Sequence, residues 1–416
     1  MNNSIKAFRF KGINLLGVSL LLAIASIPWN DNLNSWILAL FIVICFFSSS
    51  LSEKKECLKK DYFWVLPVLY YIVLAVGTLG DINTIASPTG LPHYTPFLVL
   101  PLIMASMRSI DKKIMKYGLF SFVFSLIIIS VICLYKSSIE YLSTNDTQFF
   151  FYHFLSSHMD LNAIDLSLYI TFAVLIILYY YFIISDPLPY LNKIAAIIII
   201  LFFYFMIILL SSKMIIFLFI LSFTATFLYI FYLKKKFLKG IMLIILISLI
   251  SCLLIWNFPF VKSRIEATTL KSYSNTTSDD LNGLAVRRRI WKYSIQLISK
   301  KPLTGYGIKD ANNLLLNKYK ENHFTLAFEH GWACHNVFLQ TLLLSGILGL
   351  IPVVLMFFFA LRRAIIRKNY LFFTFSVLIL CASMTGSPLE VQKGIVFILL
   401  FIYLLYYHSP IELEKG

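Results

Sequence analysis

Residues 257–267 read NFPFVKSRIEA, residues 281–307 read LNGLAVRRRIWKYSIQLISKKPLTGYG, and residues 330–350 read HGWACHNVFLQTLLLSGILGL. They belong to one long polar insertion, residues 259–334, and to its exit into an apolar block. The sequence on either side is mostly hydrocarbon-soluble. The insertion therefore holds most of the groups able to do chemistry, and it carries twelve Lys and Arg against six Asp and Glu.

The 416 residues around it are 59% hydrophobic and 13% charged, with a mean hydropathy of +0.81. A water-soluble fold cannot hide that much apolar surface, so the composition predicts an all-α integral membrane protein. The net charge of +16 suits positive-inside loops better than nucleic-acid binding. The cysteines (Cys45, Cys57, Cys133, Cys252, Cys334, Cys381) are scattered and match no zinc or disulfide spacing. The first apolar run is followed by further spans, which does not read as a cleavable signal peptide.

A membrane helix needs about 20 apolar residues. Twelve candidates appear, near 12–29, 35–51, 62–79, 94–107, 117–134, 163–184, 193–211, 214–233, 241–258, 336–360, 370–386 and 394–408. The fourth is short and carries Pro96 and Pro101, so a kink is expected there. Five basic clusters lie between spans or before the first: Lys6 to Lys11, Lys54 to Lys60, Arg108 to Lys116, Lys234 to Lys239 and Arg362 to Lys368. Twelve spans put all five on one side, which predicts cytoplasmic termini. The chain then divides into residues 1–258 with nine spans, an outer loop 259–334, and residues 335–416 with three spans and a short tail. The positive charge of the loop is not needed for topology, and this points to an anionic ligand.

Within the insertion, Val286, Ile290, Tyr293 and Leu297 recur on one helical face, predicting an amphipathic helix over 285–299. Its basic side could also lie on anionic lipid. Pro302 ends it, Gly305 and Gly307 form a turn, and a second helix is expected over about 310–321. Residues 272–282 read as a polar linker. Consecutive helical positions point about 100° apart, so Arg287, Arg288 and Arg289 cannot all face one ligand. Arg287, beside the apolar stripe and four residues before Trp291, is expected to be the enclosed one. Arg264 offers a planar fork suited to phosphate. His335 stands at the mouth of a span and titrates near neutral pH. Lys213 is a lone cation between two apolar runs. His153, His158 and Asp160 sit together in an outer loop without any metal-site pattern. Phosphate-loop, dinucleotide and Ser/His/Asp patterns are absent, which speaks against an ATP-driven pump.

The order Arg287-x3-Trp291, then Pro302 to Gly307 (PLTGYG), then His335-Asn336-x-Phe338-Leu339 and Gly346 to Gly349 (GILG) resembles the O-antigen ligase and O-antigen polymerase superfamily. The resemblance implies a GT-C-like membrane glycosyltransferase with one large helical periplasmic loop, working in the bacterial inner membrane. It implies an undecaprenyl-pyrophosphate-linked glycan as donor and a sugar hydroxyl of lipid A core as acceptor. It further implies inversion of configuration, with no metal, cofactor or nucleic acid. The essential arginines of that superfamily fall on Arg264 and Arg287, and its histidine on His335. A further arginine falls on Lys213, which keeps the charge and loses the fork. Joining lipid-linked repeat units, as a polymerase does, and moving lipid or polysaccharide, as a transporter does, are the alternative activities.

Overall fold

The computed structural model describes residues 9–10, 13–79, 90–107, 110–235, 238, 242 and 283–408. Arg264, the linker 272–282 and nearly all of the expected ninth span lie outside the described residues. Apart from a two-rung hairpin, β1 (Arg9–Phe10) with β2 (Ile13–Asn14), the described chain is helical.

The first helices are α1 (Leu15–Ser26), α2 (Asp31–Phe47), α3 (Leu51–Lys60), α4 (Val65–Gly77) and α5 (Pro96–Ser106), the last entered through a 3-10 turn at Leu91–Tyr94. Next come α6 (Lys112–Thr144), the short α7 (Tyr152–Ser157), α8 (Ala163–Leu178), α9 (Lys193–Leu210) and α10 (Lys213–Leu233). A π turn at Tyr179–Ile183 prolongs α8. The described part of the insertion forms α11 (Gly283–Ile298), α12 (Ile308–Glu321) and α13 (Thr325–Glu329). Then follow α14 (Val337–Ile366), α15 (Tyr370–Thr385) and α16 (Gln392–Tyr407).

Helices therefore occupy eleven of the expected spans, though not with the expected lengths. Five are long and apolar enough to cross a membrane, or six if the bent pair α2–α3 is one span. The others are shorter apolar helices, so length and composition support five or six crossings among the described residues. Two segments read as loops are helical. The lysine cluster at 54–60 forms α3, bent by 103° from α2. Ser50 and Glu53 cap it reciprocally, at 3.3 and 3.2 Å. Lys54 folds back to donate to the Cys45 carbonyl at 3.0 Å. Helix α6 overruns its expected end by two turns and more, until Asn145 turns left-handed at φ 56°.

Helices α8 and α16 form the centre. Every residue from Lys393 to Tyr406 is buried, as a helix apolar on all sides requires. Phe172 meets Phe375 at 4.4 Å, Tyr169 meets Phe397 at 4.4 Å, and Phe122 meets Phe401 at 5.1 Å, locking α6, α8, α15 and α16 together. Residues 91–106 run parallel to α16 along its whole length. His93 Nε2 is 2.7 Å from the Glu390 carbonyl oxygen at one end, and the Ile110 amide donates to His408 Nδ1 at 3.3 Å at the other.

The His408 end is basic. There Tyr406 donates to Asp61 at 3.0 Å, the Arg363 guanidinium lies 4.9 Å from the Tyr406 ring, and Lys116 pairs with Asp186 at 2.7 Å. Lys234 lies over the Phe182 ring at this same end. The described cations of four clusters are thus gathered together. The opposite end carries the candidate site. Here Lys393 donates to the Asp160 carbonyl at 3.1 Å and lies 3.4 Å from Asp31.

Candidate functional site

Helix α14 is broken where it meets the insertion. Gly346 has φ 61° and ψ −161°, which no α-helix contains. A break frees backbone groups that need partners away from water. The PLTGYG segment supplies them. The Tyr306 and Gly307 amides donate to the Leu343 and Leu344 carbonyls at 3.0 and 2.8 Å. The Ile347 and Leu348 amides donate in turn to the Pro302 and Leu303 carbonyls at 2.9 and 3.3 Å. Such backbone-to-backbone approach leaves no room for side chains. A Cβ on Gly305 would come within 2.5 Å of the Ser345 nitrogen, and one on Gly346 would collide with the Leu303 carbonyl. This splice joins the end of α11 to the upper half of α14.

The apolar stripe of α11 is buried as expected: Val286, Ile290, Tyr293 and Leu297 are all inside. They face protein, not lipid, because Tyr293 packs against Tyr319 of α12 and against Phe324. The apolar face of α11 is thus taken up by the insertion itself. Arg289 is also engaged, with its guanidinium 4.3 Å from the Phe324 ring centroid. Arg288 is exposed.

One helical turn beyond Arg287, Trp291 Nε1 donates to the Cys334 carbonyl at 3.0 Å. Cys334 is held from two further directions. Its amide donates to Gln340 Oε1 at 3.1 Å, and its thiol lies 3.2 Å from Ser294 Oγ. Gln340 Nε2 donates onward to Asn312 Oδ1 at 3.2 Å, tying in α12. Asn336 caps α14 by accepting from the Phe338 and Leu339 amides at 2.9 and 3.1 Å, and its Nδ2 donates to the Met384 carbonyl at 2.8 Å. Between these two fixed neighbours His335 adopts φ 48°, a left-handed conformation uncommon for such a residue. The ring is presented beside Arg287. Burial, and then the Arg287 charge, push the His335 imidazole down to about 4. Arg287 is half-buried, and desolvation pulls its guanidinium below its ordinary value while Tyr152 acts in the opposite sense.

Lys213 is the first residue of α10, after Ser211 turns left-handed at φ 41°. Tyr370, at the start of α15, donates to Thr226 of α10 at 3.0 Å. Both helices then rise about 20 Å to Lys213 and Met384 respectively. Lys213 therefore lies at the His335 end. His153 and His158 do not converge on one point: the Ala163 amide donates to His153 Nδ1 at 3.3 Å, while His158 Nε2 meets Ser137 Oγ at 3.2 Å.

Sequence reasoning missed Glu390, which lies between the last two expected spans. Its amide donates to the Ser387 carbonyl at 2.9 Å, and its Oε1 is buried without a partner. Burial raises this carboxyl to about 8, and its charge is felt at Cys334 and Tyr319. An acid in SPLEVQK, squeezed between two apolar runs, was the signal available.

Residues 195–354 match the profile of the O-antigen ligase family. That stretch runs from α9 into α14 and contains Lys213, Arg264, Arg287, the PLTGYG splice and His335. The match supports the resemblance to the O-antigen ligase superfamily. Together with the apolar helices it indicates a multi-pass membrane protein, and the matched family is linked to ligase- and polymerase-type membrane enzymes. No curated protein matches the chain.

Proposed function

We propose that the protein is an inverting, metal-independent glycosyltransferase of the O-antigen ligase type. It moves a glycan from undecaprenyl pyrophosphate to a sugar hydroxyl of lipid A core, on the periplasmic face of the bacterial inner membrane. The observation that carries this reading is the pairing of Arg287 with a neutral His335 at one end of an apolar bundle, inside the stretch matched to the family.

The acceptor oxygen attacks the anomeric carbon as the bond from that carbon to the pyrophosphate oxygen breaks. The electron pair leaves with the pyrophosphate, and the hydroxyl proton passes to His335. An imidazole kept neutral has a free lone pair to take it. The leaving group develops negative charge where Arg287, Arg264 and Lys213 supply positive charge, and fixed cations in a partly dry site stabilise it strongly. Lys213, the first residue of α10 at the His335 end, adds to that positive charge.

The test uses the purified protein in lipid nanodiscs, with lipid-linked glycan and lipid A–core oligosaccharide. Wild type should yield core carrying the full glycan. Arg287→Ala and His335→Ala should each lower the rate a hundredfold or more with normal protein levels. Full transfer by both variants would sink the assignment. Extension of one lipid-linked glycan by another, without transfer to core, would make the protein a polymerase. Movement of glycan with no new bond would make it a transporter.

A further inference from the structure

Next to His335 stands an aromatic group that the transfer chemistry does not use. The His330 and Trp332 rings are nearly parallel, with centroids 5.4 Å apart and 13° between planes. At a contact spacing of about 3.5 Å this implies a lateral offset of about 4 Å, so each ring leaves part of its face open. The Trp332 ring also meets the His335 ring edge to face, 6.2 Å away at 62°. The indole is fixed from its backbone: its amide donates to the Ala327 carbonyl at 3.1 Å, and its carbonyl accepts from the Tyr319 hydroxyl at 3.1 Å. Gly331, at φ 61°, lets the chain turn between the two rings. His330 is exposed and Trp332 half-buried.

We infer that Trp332, extended by His330, is a stacking platform for the acceptor sugar ring, set so that one of its hydroxyls reaches His335. A pyranose presents a face of C–H groups that complements the negative face of an aromatic ring, and indole offers the largest such face. Sites that orient a ligand combine an apolar wall with a few placed polar groups, here the imidazole. The competing role for a half-buried tryptophan is an anchor in the bilayer interface. The contact of the Trp332 ring with His335, the residue assigned to the acceptor hydroxyl, favours sugar. The role as acceptor platform rests on the transferase reading, whereas sugar binding by the platform does not.

The test measures binding and transfer separately, using free core oligosaccharide as the probe on full-length protein in nanodiscs. Trp332→Leu keeps apolar bulk and removes the aromatic face. It should weaken oligosaccharide binding about three- to tenfold and raise the acceptor KM to match, with the donor KM unchanged. Trp332→Phe should recover most of both. Unchanged sugar affinity in Trp332→Leu, with wild-type transfer intact, overturns the platform and leaves the transferase standing. Aromatic-dependent sugar binding in a protein that transfers nothing leaves the platform and removes the transferase. Failure of wild type to bind the oligosaccharide overturns the platform. So does a fall in thermal stability or nanodisc association in Trp332→Leu with no change in sugar affinity, which would mark a lipid anchor.

Discussion

At His335 the backbone and the protonation state are set by different neighbours. The left-handed φ follows from Cys334 and Asn336 being fixed on either side, while the neutral imidazole follows from burial beside Arg287. If a neutral imidazole is what the reaction needs, transfer should show no acid limb between pH 7.5 and about 5. A limb centred near 6.5, read from initial rates, would mean that the ring works in water. Stability has its own sign. The unfolded chain protonates this histidine near 6.5 and the folded protein only near 4, so folding weakens as pH falls through that window. Glu390 runs the other way. Its folded form keeps the proton up to about 8 while the unfolded carboxyl releases it near 4.5, so its contribution is complete below 4.5 and lost as pH rises through 8. Glu390→Gln, which is neutral at every pH, should raise the thermal midpoint relative to wild type at pH 8.5 and change it least at pH 5. His335 and Arg287 were legible in the sequence because their residue types and spacing carried the signal. Glu390 was not, because burial acts through the third dimension and leaves little trace in a loop of seven residues.

Among the elements, the splice between PLTGYG and the broken α14 has the most distinctive chemistry. Two glycines there are needed for different reasons from the one at 331. Gly331 has positive φ with nothing near its absent Cβ, so Gly331→Ala should cost only the left-handed penalty, about 1 kcal/mol. Gly346 has positive φ and the Leu303 backbone against it. Gly346→Ala should therefore cost about 3 kcal/mol, because the splice must open, and transfer should be lost with it. Chemical denaturation of the two variants side by side separates strain from collision; equal losses would mean that the splice contributes nothing. The sequence announced the turn at Pro302 and the apolar stripe of α11, since each is a local property. It could not announce that the turn would dock into a helix, because Gly346 inside an apolar run reads as an ordinary helical glycine. Helix α3 carries its own signal, since Ser50 and Glu53 form a capping box, but the lysines around them read as a loop.

For the whole molecule, the gathering of the basic clusters at the His408 end predicts that the two ends see different compartments. Single cysteines placed at Ser143, exposed in the last turn of α6 at the site end, and at Lys368, exposed at the basic end, should separate them. In intact cells a membrane-impermeant thiol reagent should label the first and spare the second, and labelling of both would undo the proposed orientation. Apolar periodicity located most of the helices because hydrocarbon solubility is written residue by residue. Which helices are central was not visible, since the lipid-facing α9 is even more apolar in sequence than the central α16. Only packing separates them, with Lys393 to Tyr406 wholly enclosed while Ile194, Ile198 and Leu201 stay exposed.

That enclosure has a consequence for how the protein is made. Helix α16 is the centre of the bundle and the last of the described helices to leave the ribosome. Until it arrives, the earlier helices must wait in the bilayer around an empty slot, and the end of α15 that receives Asn336 has no second support. Biogenesis would therefore be gated by the final helix. A nascent protein stopped before Gln392 would be inserted in the membrane, carry His335 and Arg287 intact, and still present itself to membrane proteases as unfinished.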